Sequence, residues 1–367
     1  MKELKPPPLL LLGPGPSNVS YRVLRAMSTP LLGHMDPRFM EIMDEVCQLL
    51  RDTFQTQNKM TFPVSGTGSA GMEAALVNVL EPGDKAVIGV NGVFGARMAD
   101  VAGRCGAQVI TVEAPWGQPL DGQQMLEAMR ANPGAKLCGV VMAETSTGVL
   151  QPLQELGAFL KGTEALFLVD TVTALGGVNV EVDNWGIDVC YSGTQKCLSV
   201  PPGLAPITFS PKAMQVLAKR QSKVQSWYLD LTLLQKYWGS DRLYHHTAPI
   251  SMIYGLCEGL RIIAEEGLAN RCARHSAAAA YLARGLADMG FGFYAAEGYR
   301  LPSLTCVFPP AGWDVEAVRK QLLKDYDIEV GAGLGAVAGK VWRIGLMGEN
   351  ACVQKVNVLL GALKDFA

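Results

Sequence analysis

Ile187-Asp188-Val189-Cys190-Tyr191 runs directly into Ser192-Gly193-Thr194-Gln195-Lys196. The first five residues read as a short buried strand and the next five as the turn that leaves it. An ammonium held in such a turn must be desolvated, which lowers its pKa and frees a lone pair for attack on a carbonyl. Taken alone, Lys196 is more simply a surface lysine in a loop. The run Ala165-Leu166-Phe167-Leu168-Val169-Asp170, closed by a carboxylate 26 positions earlier, changes that reading. A lysine and an aspartate at the ends of two nearby buried strands suit pyridoxal phosphate. The lysine is the covalent anchor, through a Schiff base, and the aspartate holds the proton on the pyridine nitrogen.

Upstream of this pair, strands and helices alternate. Strands are expected at 60–65, 85–90, 107–114, 137–143, 165–170, 187–191 and 205–209. Helices are expected at about 19–28 and 36–55, after the run Gly66 to Gly71 and through Leu80, and at about 96–105, 121–131 and 153–161. This order predicts a mostly parallel sheet covered by helices on both faces. In such sheets ligands bind beyond the carboxyl ends of the strands. Thr67, Phe94, Thr145, Asp170 and Lys196 all fall there, and their convergence is stronger evidence than any one motif.

Gly66-Thr67-Gly68-Ser69-Ala70-Gly71 lies between a strand and a helix and fits G-x-G-x-x-G. A dinucleotide site also needs an acid at the end of the next strand to grip the ribose. The next strand ends in Asn91-Gly92, and Asp84 precedes it. What survives is a phosphate cup at a helix N-terminus.

The chain has 32 basic and 34 acidic residues and a net charge of -2, which gives no basic stripe for nucleic acid. Its nine cysteines form no C-x-x-C pair and suit free thiols in a reducing compartment. The four histidines have no zinc-type spacing, so no metal is expected. Leu9 to Leu12, flanked by prolines, is too short for a signal-peptide core, and no stretch has the length of a membrane span. The cytoplasm is the expected compartment. Residues 6–18 read as an extended arm docked on its own or a neighbouring body.

From 211 to 265 the pattern is helical around a loop at about 225–248. That loop is rich in aromatics, including Trp227, Tyr228, Tyr237, Trp238 and Tyr244, which suit core or interface better than a ligand. From about 266 the character shifts to a smaller α+β region. Gly331 to Gly339 fails the P-loop pattern and reads as a flexible glycine loop. Arg343, between Trp342 and Ile344, needs an anionic partner, either a structural ion pair or a substrate carboxylate.

The series GPGPSN (13–18), SGTGSAGMEAAL (65–76), NGVFG (91–95), ETSTGVLQPL (144–153), LVDTVTALGG (168–177), YSGTQKCL (191–198), YHHT (244–247) and WRIGLMG (342–348) resembles the alanine–glyoxylate / serine–pyruvate aminotransferases. The match runs nearly end to end. It implies fold type I, with a mostly parallel seven-stranded sheet in a large domain (19–265), a smaller α+β C-terminal domain (266–367) and an N-terminal arm (1–18). It implies pyridoxal 5'-phosphate as cofactor, small amino acid and 2-oxo acid substrates, and a homodimer with a shared active site. Lys196 matches the cofactor lysine and Asp170 the carboxylate on the pyridine nitrogen. Thr67, Gly68, Ser69 and Gln195 match positions around the phosphate, Phe94 the stacking aromatic and Thr145 a hydroxyl near the ring. Tyr244 and Thr247 match residues that reach the neighbouring subunit's phosphate, and Arg343 the substrate-carboxylate arginine. Two positions depart from the animal members: Phe94 stands where they have Trp, and Ser69 where they have His.

Three rivals are weighed against alanine–glyoxylate transamination. An aminoethylphosphonate transaminase would need a further basic site. A desulfurase would need a cysteine in the glycine loop 331–339, which has none. A dinucleotide-binding oxidoreductase lacks its ribose acid.

Overall fold

The computed structural model describes residues 3–366. Its main sheet has seven strands, in the order Met60–Ser65, Leu204–Phe209, Val189–Tyr191, Leu166–Asp170, Ala135–Val141, Lys85–Val90 and Gln108–Glu113. Leu204–Phe209 is antiparallel to both neighbours, and the rest run parallel. The central strands are buried throughout: every residue of Leu166–Asp170 and of Leu204–Phe209 is inside. Strands covered on both faces by helices need such continuous apolar runs.

Two local expectations change. The helix foreseen at 96–105 begins earlier, at Val93, and takes Phe94 into its first turn. Its N-cap, Gly92, has no side chain to offer. The capping groups come instead from a distant segment. Glu144 accepts from the N–H groups of Phe94 (3.0 Å) and Gly95 (3.2 Å), and the Ser146 hydroxyl accepts from Val93 N–H (3.0 Å). Local sequence cannot reveal a cap supplied across the sheet.

The aromatic loop at 225–248 contains a helix, Leu231–Trp238. Asp230 caps it by accepting from Thr232 N–H at 2.9 Å. Tyr237 and Trp238 are buried, and Trp238 stacks on Phe62 with ring centroids 5.7 Å apart. Trp227, Tyr228 and Tyr244 remain exposed.

A second sheet has the order Leu10–Leu12, Ile328–Ala332, Trp342–Gly345, Leu304–Phe308 and Gly292–Phe293. The N-terminal leucines therefore dock on their own chain, pairing in parallel with Ile328–Val330. Leu10 N–H donates to the Asp327 carbonyl at 2.8 Å, and the prolines on either side, which have no N–H, bound how far the strand extends. The glycine loop is more ordered than expected, since the strand runs through Ala332 and a 3-10 turn covers Gly335–Val337. Among the described residues no helix is long and apolar enough to cross a membrane.

Candidate active site

The carboxyl ends of the parallel strands open into a cavity of about 190 Å³. Thr67, Gly68, Ser69, Phe94, Thr145, Asp170, Gln195 and Lys196 all line it. They come from beyond the ends of five strands: Thr67, Gly68 and Ser69 after Met60–Ser65, Phe94 after Lys85–Val90, Thr145 after Ala135–Val141, Asp170 closing Leu166–Asp170, and Gln195 and Lys196 after Val189–Tyr191. Three walls follow from this placement.

At one end, helix Gly68–Val79 begins beside the cavity. Its N-cap residue, Thr67, makes no side-chain capping bond. An uncapped first turn leaves N–H groups for an anion. The Gln195 side-chain amide oxygen (Oε1) beside it is buried and has no hydrogen-bond partner among the described residues.

At the floor, Asp170 is 3% exposed and accepts from Val172 N–H at 2.8 Å. Burial pushes its carboxyl up to about 6, against the pull of the Val172 N–H and the positive charge of Lys196. Lys196 moves the other way. Burial, reinforced by the positive charge of Arg343, brings its amine down to about 8.

The Lys196 ammonium donates to the carbonyl of Pro14, in the segment that follows the N-terminal strand. Ser17 ties the same segment to the lysine's turn, its hydroxyl donating to the Lys196 carbonyl at 3.0 Å and its N–H to the Gln195 carbonyl at 3.0 Å. Gly15 has φ +105° and passes so close that a Cβ there would lie 2.7 Å from Lys196 Nζ. Only glycine suits that approach.

Arg343 enters from the second sheet and is 6% exposed. Its Nε donates to Ala332 O at 2.7 Å and one terminal nitrogen to Thr145 O at 3.4 Å. No carboxylate pairs with it among the described residues, which removes the structural ion-pair reading. Burial holds its pKa below the usual arginine value. A buried guanidinium bonded only to carbonyls keeps donors free for an incoming anion.

Tyr244 and Thr247 do not reach this cavity in their own chain; both are exposed. Next to them, His246 bonds Ser65 Oγ at 2.9 Å and faces His245 at 2.9 Å. Burial, then the neighbouring His245 and His34, lowers His246 to about 4.

Three residues of the site escape a reading of the sequence. Glu144 is fully buried and is bonded also by Ser146 Oγ at 2.6 Å, so it fixes the turn that carries Phe94. Burial pushes its carboxyl up while those donors oppose the shift. Arg271 is buried and donates to the Cys197 carbonyl (2.8 Å) and the Gly176 carbonyl (3.0 Å), with Glu266 at 2.8 Å balancing its charge. It clamps the turn just after Lys196. Arg97 lines the cavity mouth and lies over the Phe94 ring, 4.9 Å from its centroid. The only sequence signal for Arg97 is its spacing of one helical turn from Phe94.

The sheet order, the single antiparallel strand and a lysine–aspartate pair at the strand ends define a fold type I transferase. The chain belongs to the class-V aminotransferases: the family model, Aminotransferase class-V, matches residues 13–352. The solved alanine–glyoxylate aminotransferase of Nostoc sp. is 49% identical with a TM-score of 0.97, covering 100% of this chain and 97% of its own. The ureidoglycine–glyoxylate aminotransferase structure from Bacillus subtilis is 42% identical with a TM-score of 0.97, covering 99% of this chain and 94% of its own. Alanine–glyoxylate aminotransferase of Rattus norvegicus is 42% identical, over 99% of this chain and 89% of that protein.

Enzymes of this family and fold depend on pyridoxal phosphate, and so does this aminotransferase. The residues present fit the group. The uncapped helix start and the unpartnered Gln195 oxygen lie at one end of the cavity, and the buried Asp170–Lys196 pair lies within the same walls.

Proposed function

We propose that this aminotransferase takes an amino group from alanine or serine and delivers it to glyoxylate, giving glycine. The observation that carries this reading is Arg343, a buried guanidinium with no acid partner among the described residues, whose charge acts on Lys196 in the wall of a small cavity. It suits the single carboxylate of a small amino or oxo acid and orients each substrate in turn.

When bound, the cofactor supplies an electron sink for the carbanion formed at the substrate α-carbon. Lys196 would anchor it and, as a neutral amine, would carry a proton from and to the substrate α-carbon. A pKa near 8 gives a useful neutral fraction at physiological pH. Asp170, as the carboxylate, would hold the proton on the pyridine nitrogen. Thr67, Gly68, Ser69 and Gln195 would hold the phosphate, Phe94 would stack on the ring and Thr145 would lie beside it. Two substrates use one site in succession, which is ping-pong behaviour.

We assign Tyr244 and Thr247 to the phosphate of a second subunit in a homodimer. Their exposure, among the exposed rings of Trp227 and Tyr228, supports this. We assign the chain to the cytoplasm, which suits its nine unpaired cysteines. The division into arm 1–18, large domain 19–265 and small domain 266–367 is also our reading.

A screen of half-reactions tests the substrate. Alanine, serine, (S)-ureidoglycine and aminoethylphosphonate are each added to the holoenzyme, and the loss of its visible absorbance is followed. Alanine or serine should convert it, and glyoxylate should restore it. Conversion by (S)-ureidoglycine alone would favour the activity named for the Bacillus subtilis relative, which shares glyoxylate as partner. Conversion by aminoethylphosphonate alone would overturn the proposal.

Arg343→Lys separates binding from chemistry. A lysine offers one point charge where a fork is needed, so KM for the amino donor should rise roughly 30-fold, the value of a charge-assisted hydrogen bond. If kcat fell and KM did not, Arg343 would not be the carboxylate anchor.

A further inference from the structure

We infer that Arg97 is the chain's own cationic ligand for the cofactor phosphate, a role that rests on the pyridoxal-phosphate reading of the cavity. A phosphate monoester brings close to two negative charges at neutral pH. The cup that receives it is built from Thr67, Gly68, Ser69 and Gln195, all neutral. A helix N-terminus offers only about half a positive charge. Lys196 is occupied elsewhere in the cavity, as the amine that anchors the cofactor and serves the reacting carbon.

Arg97 supplies what is missing. It lines the cavity, and one of its terminal nitrogens lies 3.4 Å from Ser69 Oγ, in the first turn of the helix that forms the cup. That contact is too long to use the donor fully. No carboxylate pairs with Arg97 among the described residues, so its remaining donors are free.

The guanidinium is also held in place. It lies over the Phe94 ring, 4.9 Å from the centroid, on the same helix and one turn further on. Stacking on an aromatic face restricts a long side chain before any ligand arrives. The Phe94 turn is in turn fixed by Glu144. Glu144, Phe94 and Arg97 thus form a chain from a buried carboxylate to a cation at the phosphate end.

The test compares two ligands that differ only in the phosphate. Cofactor-free wild-type protein and the variants Arg97→Ala, Arg97→Gln and Arg97→Lys are titrated with pyridoxal 5'-phosphate and with pyridoxal, following absorbance and tryptophan fluorescence. Because Arg97 is exposed, the variants should unfold at the wild-type temperature. Arg97→Ala and Arg97→Gln should weaken pyridoxal phosphate about tenfold and leave pyridoxal nearly unchanged. Arg97→Lys should keep most of the difference between the two ligands. Equal weakening of both would mean that Arg97 acts only through the Phe94 stack, and no weakening of either would remove it from the site; each overturns the inference. Wild-type protein that bound neither ligand would instead overturn the cofactor reading itself.

Discussion

Lys196→Ala should lose transamination by on the order of 10⁴-fold, the scale expected when a positioned proton-transfer group is removed along with the anchor. No other amine stands ready to substitute, since among the described residues Lys196 is the only lysine lining the cavity. Small primary amines added in solution should restore part of the rate, because the missing group is a base at a defined place. A variant that turned over close to the wild-type rate would sink the assignment.

Removing the charge of Lys196 has an opposite effect on the fold. The folded protein holds the Lys196 amine near 8, against an ordinary value of 10.5. Between those values the unfolded chain binds more protons, so stability rises with pH across the window. Below about pH 8 the full cost is present, roughly 3 kcal/mol for a shift of this size. Lys196→Met keeps the bulk of the stem and removes the charge. In the cofactor-free state at pH 7 it should therefore withstand more denaturant than wild type, with the gap closing towards pH 10. Stability and chemistry pull apart at this residue, as they do where a site holds a group against its own preference.

How much of this was legible beforehand depends on how far each residue's partners lie along the chain. Thr67, Phe94, Thr145, Asp170 and Lys196 were legible because strand periodicity puts them at one sheet edge, and each needs only its own strand to be placed. Arg343 was half legible. Its apolar neighbours announced burial, but only the three-dimensional surroundings, carbonyls at Ala332 and Thr145 and no acid, distinguish an anion fork from an ion pair. Glu144 and Arg97 were not legible. Glu144 looks like the polar start of a loop, and its value lies in capping a helix some 50 positions away. Arg97 looks like one more surface arginine of an amphipathic helix. The helix Leu231–Trp238 was hidden for a related reason: aromatic residues carry little helix preference, and its stability comes from Trp238 on Phe62 and Tyr237 bonded to His34 O. Leu10 to Leu12 could be read as apolar and extended, but the choice of Ile328–Val330 as partner is a contact across more than 300 residues.

Asp170→Asn should reduce kcat on the order of 10³-fold while leaving the cofactor bound, since removing a preorganised charge partner at a reacting group costs this much. Asp170 is buried against the end of its own strand, with one N–H donor, from Val172. Burial raises it to about 6 from an ordinary 3.8. The folded protein therefore binds more protons than the unfolded chain between those values, and cofactor-free stability falls as pH rises through that window. Above about pH 6 the cost is complete, roughly 3 kcal/mol. A protonated pyridine nitrogen gives that charge a partner, so the same burial that penalises the empty site strengthens the pair once it forms. Asparagine removes the cost and the function together. The cofactor-free variant should show a flatter stability profile between pH 4 and 6, measured by denaturant unfolding. A cofactor methylated on its pyridine nitrogen carries a permanent positive charge there and should recover part of the lost kcat in Asp170→Asn. Wild type should gain nothing from it. If the methylated cofactor gave the variant no benefit, proton retention at the pyridine nitrogen would not be what Asp170 supplies.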